Sequence, residues 1–275
     1  MIIREAILEI THRLERHRIP NPRLCAEVLL AHVLDVTRTY LYTHDDRELA
    51  AEPAARLDAA VSERISGVPL QYIVGHQEFY GRDFLVNPSV LIPRPETEFI
   101  IEAVLEARPR KGVRIIDVGT GSGCIGTTLA LELPQTSVFA SDISESALRT
   151  ANGNAKRLGA NVGFVCMDLL DSVAGKFDFV VSNPPYVPHT DLELLQREVR
   201  EHEPHLALFD PRGNMAIYQA LIADASRILI PGGWLIMEIG FGMEQSVLSF
   251  LSAAWEIHPT KADLQGIPRT IVARH

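Results

Sequence analysis

The sequence predicts a doubly wound α/β fold: a mostly parallel, seven-stranded sheet covered by helices, behind a small all-α segment. Three observations carry this prediction. From residue 96 onward, strand-like runs alternate with helix-like runs, the order that produces parallel strands joined by crossover helices. Most of those strand runs are continuously apolar, which suits strands buried on both faces. Residues 1–72, by contrast, show helical periodicity and no strand alternation.

In the all-α segment, Ile3, Ile7, Ile10 and Leu14 recur at the spacing of one helical face. Asn21 reads as a cap before Pro22, a favoured first helical residue, and Leu24, Val28 and Leu29 continue an apolar stripe. Glu52-Pro53 opens another helix with Leu57, Val61 and Ile65 on one face, closed by Gly67 and Pro69. This segment has no catalytic cluster, so a binding or positioning role is expected of it. Residues 73–95 form a linker in which Gly81 separates two aromatic and β-branched runs, a hairpin signal.

Residues 96–275 carry the sheet. The strand candidates are VRIIDV, SVFASD, VGFVCMD, FDFVVSN and WLIMEIG, with two shorter ones, WEIHP and TIVARH, in the tail. Pro95, Glu96 and Glu98 suit the start of the first helix. CIGTTLALEL, SESALRTANGNAKRLG and MAIYQALIADASRIL are the later helices, and Pro231-Gly232-Gly233 reads as a turn. Ligands of such sheets bind at the carboxyl ends of the strands, near a topological switch point.

Composition narrows the function. The chain of 275 residues has 26 Lys+Arg against 35 Asp+Glu, a net charge of −9. An acidic chain gains little from a phosphate backbone, so no direct nucleic-acid contact is expected. Cys25, Cys124 and Cys166 form no CxxC pair, which disfavours a disulfide framework or a cysteine metal site. Cys124 and Cys166 read as small core residues. His202 and His205 flank Glu203-Pro204, where proline disrupts a ligand-bearing helix face, so no metal is expected. Neither a signal core nor a membrane-length apolar run occurs, and the cytoplasm is the expected location.

The chemistry concentrates at two strand ends. The first strand ends in Gly119-Thr120-Gly121-Ser122-Gly123, with Gly126 beyond. Glycines let backbone approach a ligand closely, and the following helix points free N–H groups there. The loop matches both a dinucleotide fingerprint and the looser glycine pattern of S-adenosylmethionine enzymes. Asp142, ending the next strand, is placed to accept ribose hydroxyls, which both cofactors possess. Asp168-Leu169 ends the third strand, where Asp168 is equally compatible with an adenine contact and a solvated loop.

The fourth strand ends in Asn183-Pro184-Pro185-Tyr186. The prolines fix φ and remove two donors. The Pro184 carbonyl and the Asn183 side-chain oxygen can then accept both hydrogens of one –NH2 group, while Tyr186 packs on the plane that carries it. Such a grip aims the lone pair of a poor nitrogen nucleophile at a methyl donor. A nicotinamide enzyme has no evident use for it.

With these residues in place, the chain resembles the peptide chain release factor N5-glutamine methyltransferases. The resemblance rests on GVPLQYIVG at 67–75, EFYG at 78–81, LIPRPETE at 91–98, DVGTGSG, SDIS, VSNPPYV, the Glu203-Pro204 and Ala207-Leu208 pairs, and DLQGIPR at 263–269. It implies a Rossmann-like, class I S-adenosylmethionine-dependent methyltransferase. It also implies a substrate: the glutamine of the GGQ loop in release factors, and through it an effect on translation termination. Gly119 to Gly123 would hold the methionine part of the cofactor and Asp142 its ribose. Leu169 would stand beside adenine, at a position where relatives can carry a larger side chain. Asn183 to Tyr186 would hold the glutamine amide, with Asn183 also near the cofactor.

One stretch departs from the family pattern: FDPRGNM at 209–215 has a single glycine, Gly213. Arg94 and Glu96 are compatible with either a structural role or a substrate contact at the cofactor entrance. Glu98 reads as a helix-start acid, Glu238 as a loop cap, and Asp263 with Arg269 as a structural ion pair. Two other classes compete. An adenine-N6 nucleic-acid methyltransferase would use the same grip but should carry a basic face. A non-catalytic nucleoside-binding scaffold has no need of Asn183 and Tyr186 together.

Overall fold

The computed structural model describes residues 1–275, the side chain of Asn214 excepted. Its backbone divides into two compact units, Met1–Gly75 with Gln196–His202, and His76–Leu195 with Glu203–His275.

The first unit holds α1 (Ile3–Arg16), α2 (Pro22–Leu34), α3 (Arg38–Thr43), α4 (Ala51–Ser66) and α5 (Leu70–Val74). Ile3, Ile7, Ile10 and Leu14 all face its core, together with Leu57 and Val61 of α4. Gly67 ends α4 with φ of 109°, a left-handed conformation that only glycine adopts cheaply. Two expectations fail in α2. Asn21 sits in the left-handed region (φ 49°), and its side chain makes no cap bond. Leu24 is exposed, because the buried stripe runs through Cys25, Leu29 and Val33, about 100° further round the helix.

The second unit opens with β1 (His76–Phe79) and β2 (Arg82–Leu85), paired antiparallel. Their turn residues, Tyr80 and Gly81, both have positive φ (51° and 70°), as a two-residue hairpin turn of matching twist requires. Next come α6 (Glu98–Glu106), β3 (Arg114–Val118), α7 (Cys124–Glu132), β4 (Ser137–Asp142), α8 (Glu145–Leu158), β5 (Val162–Cys166) and β6 (Phe177–Ser182). The short α9 (Arg197–His202) belongs to the first unit. The second resumes with α10 (His205–Leu208), α11 (Asn214–Ile228), β7 (Leu229–Glu238) and α12 (Glu244–Leu248). It ends with β8 (Glu256–Ile257), β9 (Lys261–Ala262) and β10 (Pro268–Arg274).

The sheet order is β5-β4-β3-β6-β7-β10-β8, with β9 paired to β10 off that path. β3 through β7 run parallel, and β10 is antiparallel to β7. The two-residue β9 is an eighth strand, too short to show any periodicity in the sequence. Side chains alternate between two cores. Ile116, Val180, Leu235 and Ile271 join the cluster that contains α11. Ile115, Val181, Ile236 and Val272 join the cluster with α6, α7, Phe79 and Phe84. Period-two alternation of Cβ atoms produces this division.

Two details differ from expectation. β5 is an edge strand, so Cys166 is exposed while Cys124 is buried as predicted. Pro231-Gly232-Gly233 lies inside β7 instead of between elements, at a bulge where the register shifts against β6 and Gly232 has φ of 80°. Chain order reverses between β3 and β6, which lie side by side. The carboxyl ends of those two strands carry the glycine loop and the Asn-Pro-Pro-Tyr stretch, so the switch point brings the two motifs together. Among the described residues, no helix is long and apolar enough to cross a membrane.

Candidate active site

A cavity of about 290 Å3 opens at this switch point. Gly119, Thr120, Gly121 and Ser122 line one wall, Asp142 and Ile143 a second, and Asp168 and Leu169 a third. Asn183 and Pro185 line it from the β6 end, and Arg94 and Thr97 from the LIPRPETE segment. Gly123, Pro184, Tyr186 and Glu96 are set back from the lining.

The glycine loop has a clear division of labour. Gly119 and Gly121 have φ of 70° and 55°, and nothing stands within 4 Å of where a Cβ would be. They leave bare backbone beside open space. Gly123 (φ 80°) serves packing, because a Cβ there would come 2.9 Å from the Ala151 Cβ and 3.0 Å from its Cα. Close approach of α7 to α8 therefore depends on it. Asp142 holds the loop's shape. Its Oδ2 accepts the Gly121 N–H at 2.9 Å and its Oδ1 the Ser144 N–H at 2.9 Å. Burial pushes the Asp142 carboxyl above its ordinary value, partly opposed by those N–H groups.

Asp117 lies beneath the loop, fully buried. Its Oδ2 accepts from the Thr120 hydroxyl at 2.5 Å and the Gly126 N–H at 2.9 Å. Burial, opposed by these two donors, pushes its carboxyl from 3.8 up to about 7. Between those values the folded state keeps a proton that the unfolded chain has lost. The stability carried by Asp117 is thus complete below pH 4 and is lost as pH rises through 7. Urea unfolding of the wild type and Asp117→Asn at several pH values checks this. The difference, wild type minus variant, is expected to fall across that window by up to roughly 1.4 kcal/mol per pH unit. A flat difference would mean that Asp117 stays ionised.

The 209–213 loop, the departure from the family pattern, forms part of the cavity wall. Asp210 is buried, and the Arg212 guanidinium donates to its Oδ2 at 2.7 Å and its Oδ1 at 3.0 Å. Burial pushes Asp210 up, but Arg212 outweighs it and holds the carboxyl below its usual range. Arg212 also reaches Asp168 at 3.4 Å. Asp168 is therefore tied to this loop, a partner that the sequence did not suggest.

Arg94 lines the cavity, but its Nη2 donates to the buried Glu203 at 2.5 Å. Glu203 also accepts from the Ile92 N–H at 3.4 Å. The Glu203-Pro204 pair thus anchors the LIPRPETE segment. Glu98 accepts the Tyr80 N–H at 2.8 Å, tying the hairpin turn to α6. Asp263 and Arg269 form the expected ion pair at 2.9 Å.

The largest surprise lies under Asn183. Its Nδ2 donates to the Thr97 hydroxyl at 3.1 Å, and that hydroxyl donates to Glu238 Oε2 at 2.6 Å. The Tyr186 hydroxyl donates to Glu238 Oε1 at 3.3 Å. Glu238, expected to cap a loop, is buried at the floor of the Asn-Pro-Pro-Tyr turn. Burial pushes its carboxyl from 4.5 up to about 7, with Thr97 and Tyr186 opposing. It also pushes the Tyr186 phenol up, with Glu238 adding to the shift. Sequence reasoning had one signal for Glu238, a carboxylate ending an apolar strand at the ligand edge, and none that linked it to Thr97.

Comparison with known proteins sets this geometry in a family. Residues 5–75 match the PrmC N-terminal domain and residues 95–208 the methyltransferase small domain. A release factor glutamine methyltransferase from Koribacter versatilis is 48% identical over 100% of this chain and 99% of its own. The chain belongs to the release factor glutamine methyltransferase family. Another member, from Nitratidesulfovibrio vulgaris, is 42% identical over 95% of this chain and 91% of its own. Among solved structures, a methyltransferase from Pyrococcus furiosus superposes with TM-score 0.53 at 18% identity, covering 79% of this chain and 96% of its own. At that identity the likeness concerns the fold.

As a member of this family, the chain is an S-adenosylmethionine-dependent methyltransferase. The cavity suits that cofactor. The bare backbone at Gly119 and Gly121 leaves room for its methionine part, and Asp142 retains lone pairs for its ribose beside the two N–H groups it already holds. Asp168, Leu169 and Ile143 complete the lining beyond Asp142.

Proposed function

We propose that this enzyme methylates the side-chain amide nitrogen of the glutamine in the GGQ motif of peptide chain release factors, and so modulates translation termination. The observation that carries this reading is the Asn183-Pro184-Pro185-Tyr186 turn at the cavity's edge, in a chain whose relatives are named release factor glutamine methyltransferases. A carboxamide nitrogen is a weak nucleophile because its lone pair is delocalised into the carbonyl. The Asn183 Oδ1 and the Pro184 carbonyl would accept its two hydrogens, and Tyr186 would hold its plane. When bound, S-adenosylmethionine would supply an electrophilic methyl, its C–S electron pair staying on sulfur, while Asn183 and Pro184 would aim the accepting nitrogen and one N–H proton would leave to solvent. The protein's own share is largely positioning, worth up to roughly 7–11 kcal/mol in favourable cases.

Residues 1–72, the helical segment, would position the release factor, and residues 96–275 would perform the transfer. Arg94 is held by Glu203, so its contact with substrate would be made by the guanidinium edge left over. Glu96 would act through charge at the entrance. A cytoplasmic location follows from such a substrate.

The test is methyl transfer from labelled S-adenosylmethionine. Label is expected in a bacterial-type release factor and absent when its GGQ glutamine is alanine. Label in nucleic acid instead would favour the adenine-N6 reading.

A further inference from the structure

The hydrogen bonds under Asn183 have a direction, and that direction decides what Asn183 can offer a substrate. Thr97 has one hydroxyl hydrogen. Above pH 7, where Glu238 is ionised, it points to Glu238 Oε2, 2.6 Å away, because an ionised carboxylate can only accept. The Thr97 oxygen is then an acceptor, and its second neighbour at 3.1 Å must be the Asn183 –NH2. Asn183 thereby spends its donor end on Thr97 and leaves Oδ1 for the ligand. A substrate amide offering N–H groups needs that end of the side chain. Rotated by half a turn, Asn183 would present donors to donors.

From this geometry we infer that Glu238 is a positioning residue, acting through the Thr97 hydroxyl to set which end of the Asn183 amide faces the substrate. The inference rests on the reading of Asn183 as the acceptor for the substrate –NH2. Glu238 acts on the same turn a second way, by accepting the Tyr186 hydroxyl at 3.3 Å. It is thus bonded to one of the turn's polar side chains directly and to the other through Thr97, while being itself 2% exposed. Among the described residues, the groups that face it are few. The Thr97 and Tyr186 hydroxyls bond its carboxylate, and the Tyr218 hydroxyl bonds its backbone carbonyl at 3.1 Å. Glu96 opposes its charge and Arg269 favours it. The Cys124 thiol, pushed up to about 12 mainly by burial, also feels its charge but stays neutral.

Protonation would reverse the chain. A protonated Glu238 can donate to Thr97, whose own hydrogen then turns to Asn183, and Asn183 must answer with Oδ1. The acceptor would face inward and the donor would face the substrate.

Paired variants separate this role from packing. Thr97→Val keeps the bulk and loses the hydroxyl, and Thr97→Ser keeps the hydroxyl and loses a methyl. Steady-state transfer to release factor should show kcat down at least about thirtyfold in Thr97→Val and restored to within about threefold of wild type in Thr97→Ser. Calorimetric S-adenosylmethionine affinity should stay within about threefold in both. Normal kcat in Thr97→Val with loss in Thr97→Ser would overturn the inference and leave a packing role. Glu238→Gln supplies an independent readout. At saturating cofactor, the ratio of wild-type to Glu238→Gln kcat should fall as pH drops below 7, since only the wild type can protonate there. A pH-independent ratio would overturn the inference even if a Thr97 variant failed to fold. Were the release-factor reading itself wrong, the wild type would show no transfer at all, a different outcome from either.

Discussion

Replacing Asn183 by alanine should lower kcat by at least a hundredfold and leave S-adenosylmethionine affinity within about tenfold, or 1.4 kcal/mol. The asymmetry follows from what the side chain touches. Its Nδ2 is committed to Thr97 within the protein, and in the proposed reaction its Oδ1 is the end that holds the reacting nitrogen. A group that holds the reacting centre acts mainly in the transition state, so its loss appears in kcat. The expected size is that of removing one preorganised polar group from a reacting centre, roughly 10²–10³ in rate. In the same proposal the cofactor keeps the glycine loop and Asp142. Stopped-flow or single-turnover transfer with calorimetric cofactor binding checks both halves. If affinity fell as far as rate, Asn183 would be a cofactor ligand and the amide grip would lose its central residue.

Asp142→Ala should do the reverse, weakening S-adenosylmethionine about a hundredfold, or roughly 2.7 kcal/mol. Two losses add. In the proposed placement of the cofactor the carboxylate no longer accepts from the ribose, and the Gly121 and Ser144 N–H groups, now each 2.9 Å from an Asp142 oxygen, lose their partner. Hydrogen bonds to a charged group contribute about 1.5–3 kcal/mol each, so one ribose bond and a loosened loop suffice. Asp142→Asn keeps one acceptor and should lose less. A change under threefold in Asp142→Ala would show that the loop holds its shape, and the cofactor, without it.

Much of this was legible from residues near one another in the chain. Alternating apolar runs predicted the parallel strands β3 to β7 because burial on both faces leaves a continuous signature. Ile3, Ile7, Ile10 and Leu14 predicted a helical core face that the structure contains. Gly81, between two aromatic and β-branched runs, predicted the hairpin that β1 and β2 form. Errors fell where local pattern underdetermines the answer. Leu24 and Cys166 are apolar enough to be core, but helix rotation and an edge position expose them. Asp168 gained Arg212 from a loop whose sequence had suggested only a missing glycine pattern.

The sequence by itself determined the two strand ends that carry chemistry: the glycine loop, which only residues without a Cβ can form, and the Asn-Pro-Pro-Tyr turn, whose prolines remove competing donors. Only the tertiary structure decided how Asn183 is aimed. Thr97 lies 86 positions before Asn183 and 141 before Glu238, and no periodicity connects them. They meet because β6 and β7 pair in parallel, ending side by side, while α6 begins over the same edge. Burial then does what sequence cannot record: it forces each polar atom to find a partner, and so gives an ordinary strand-end carboxylate control over the direction of a hydrogen-bond chain.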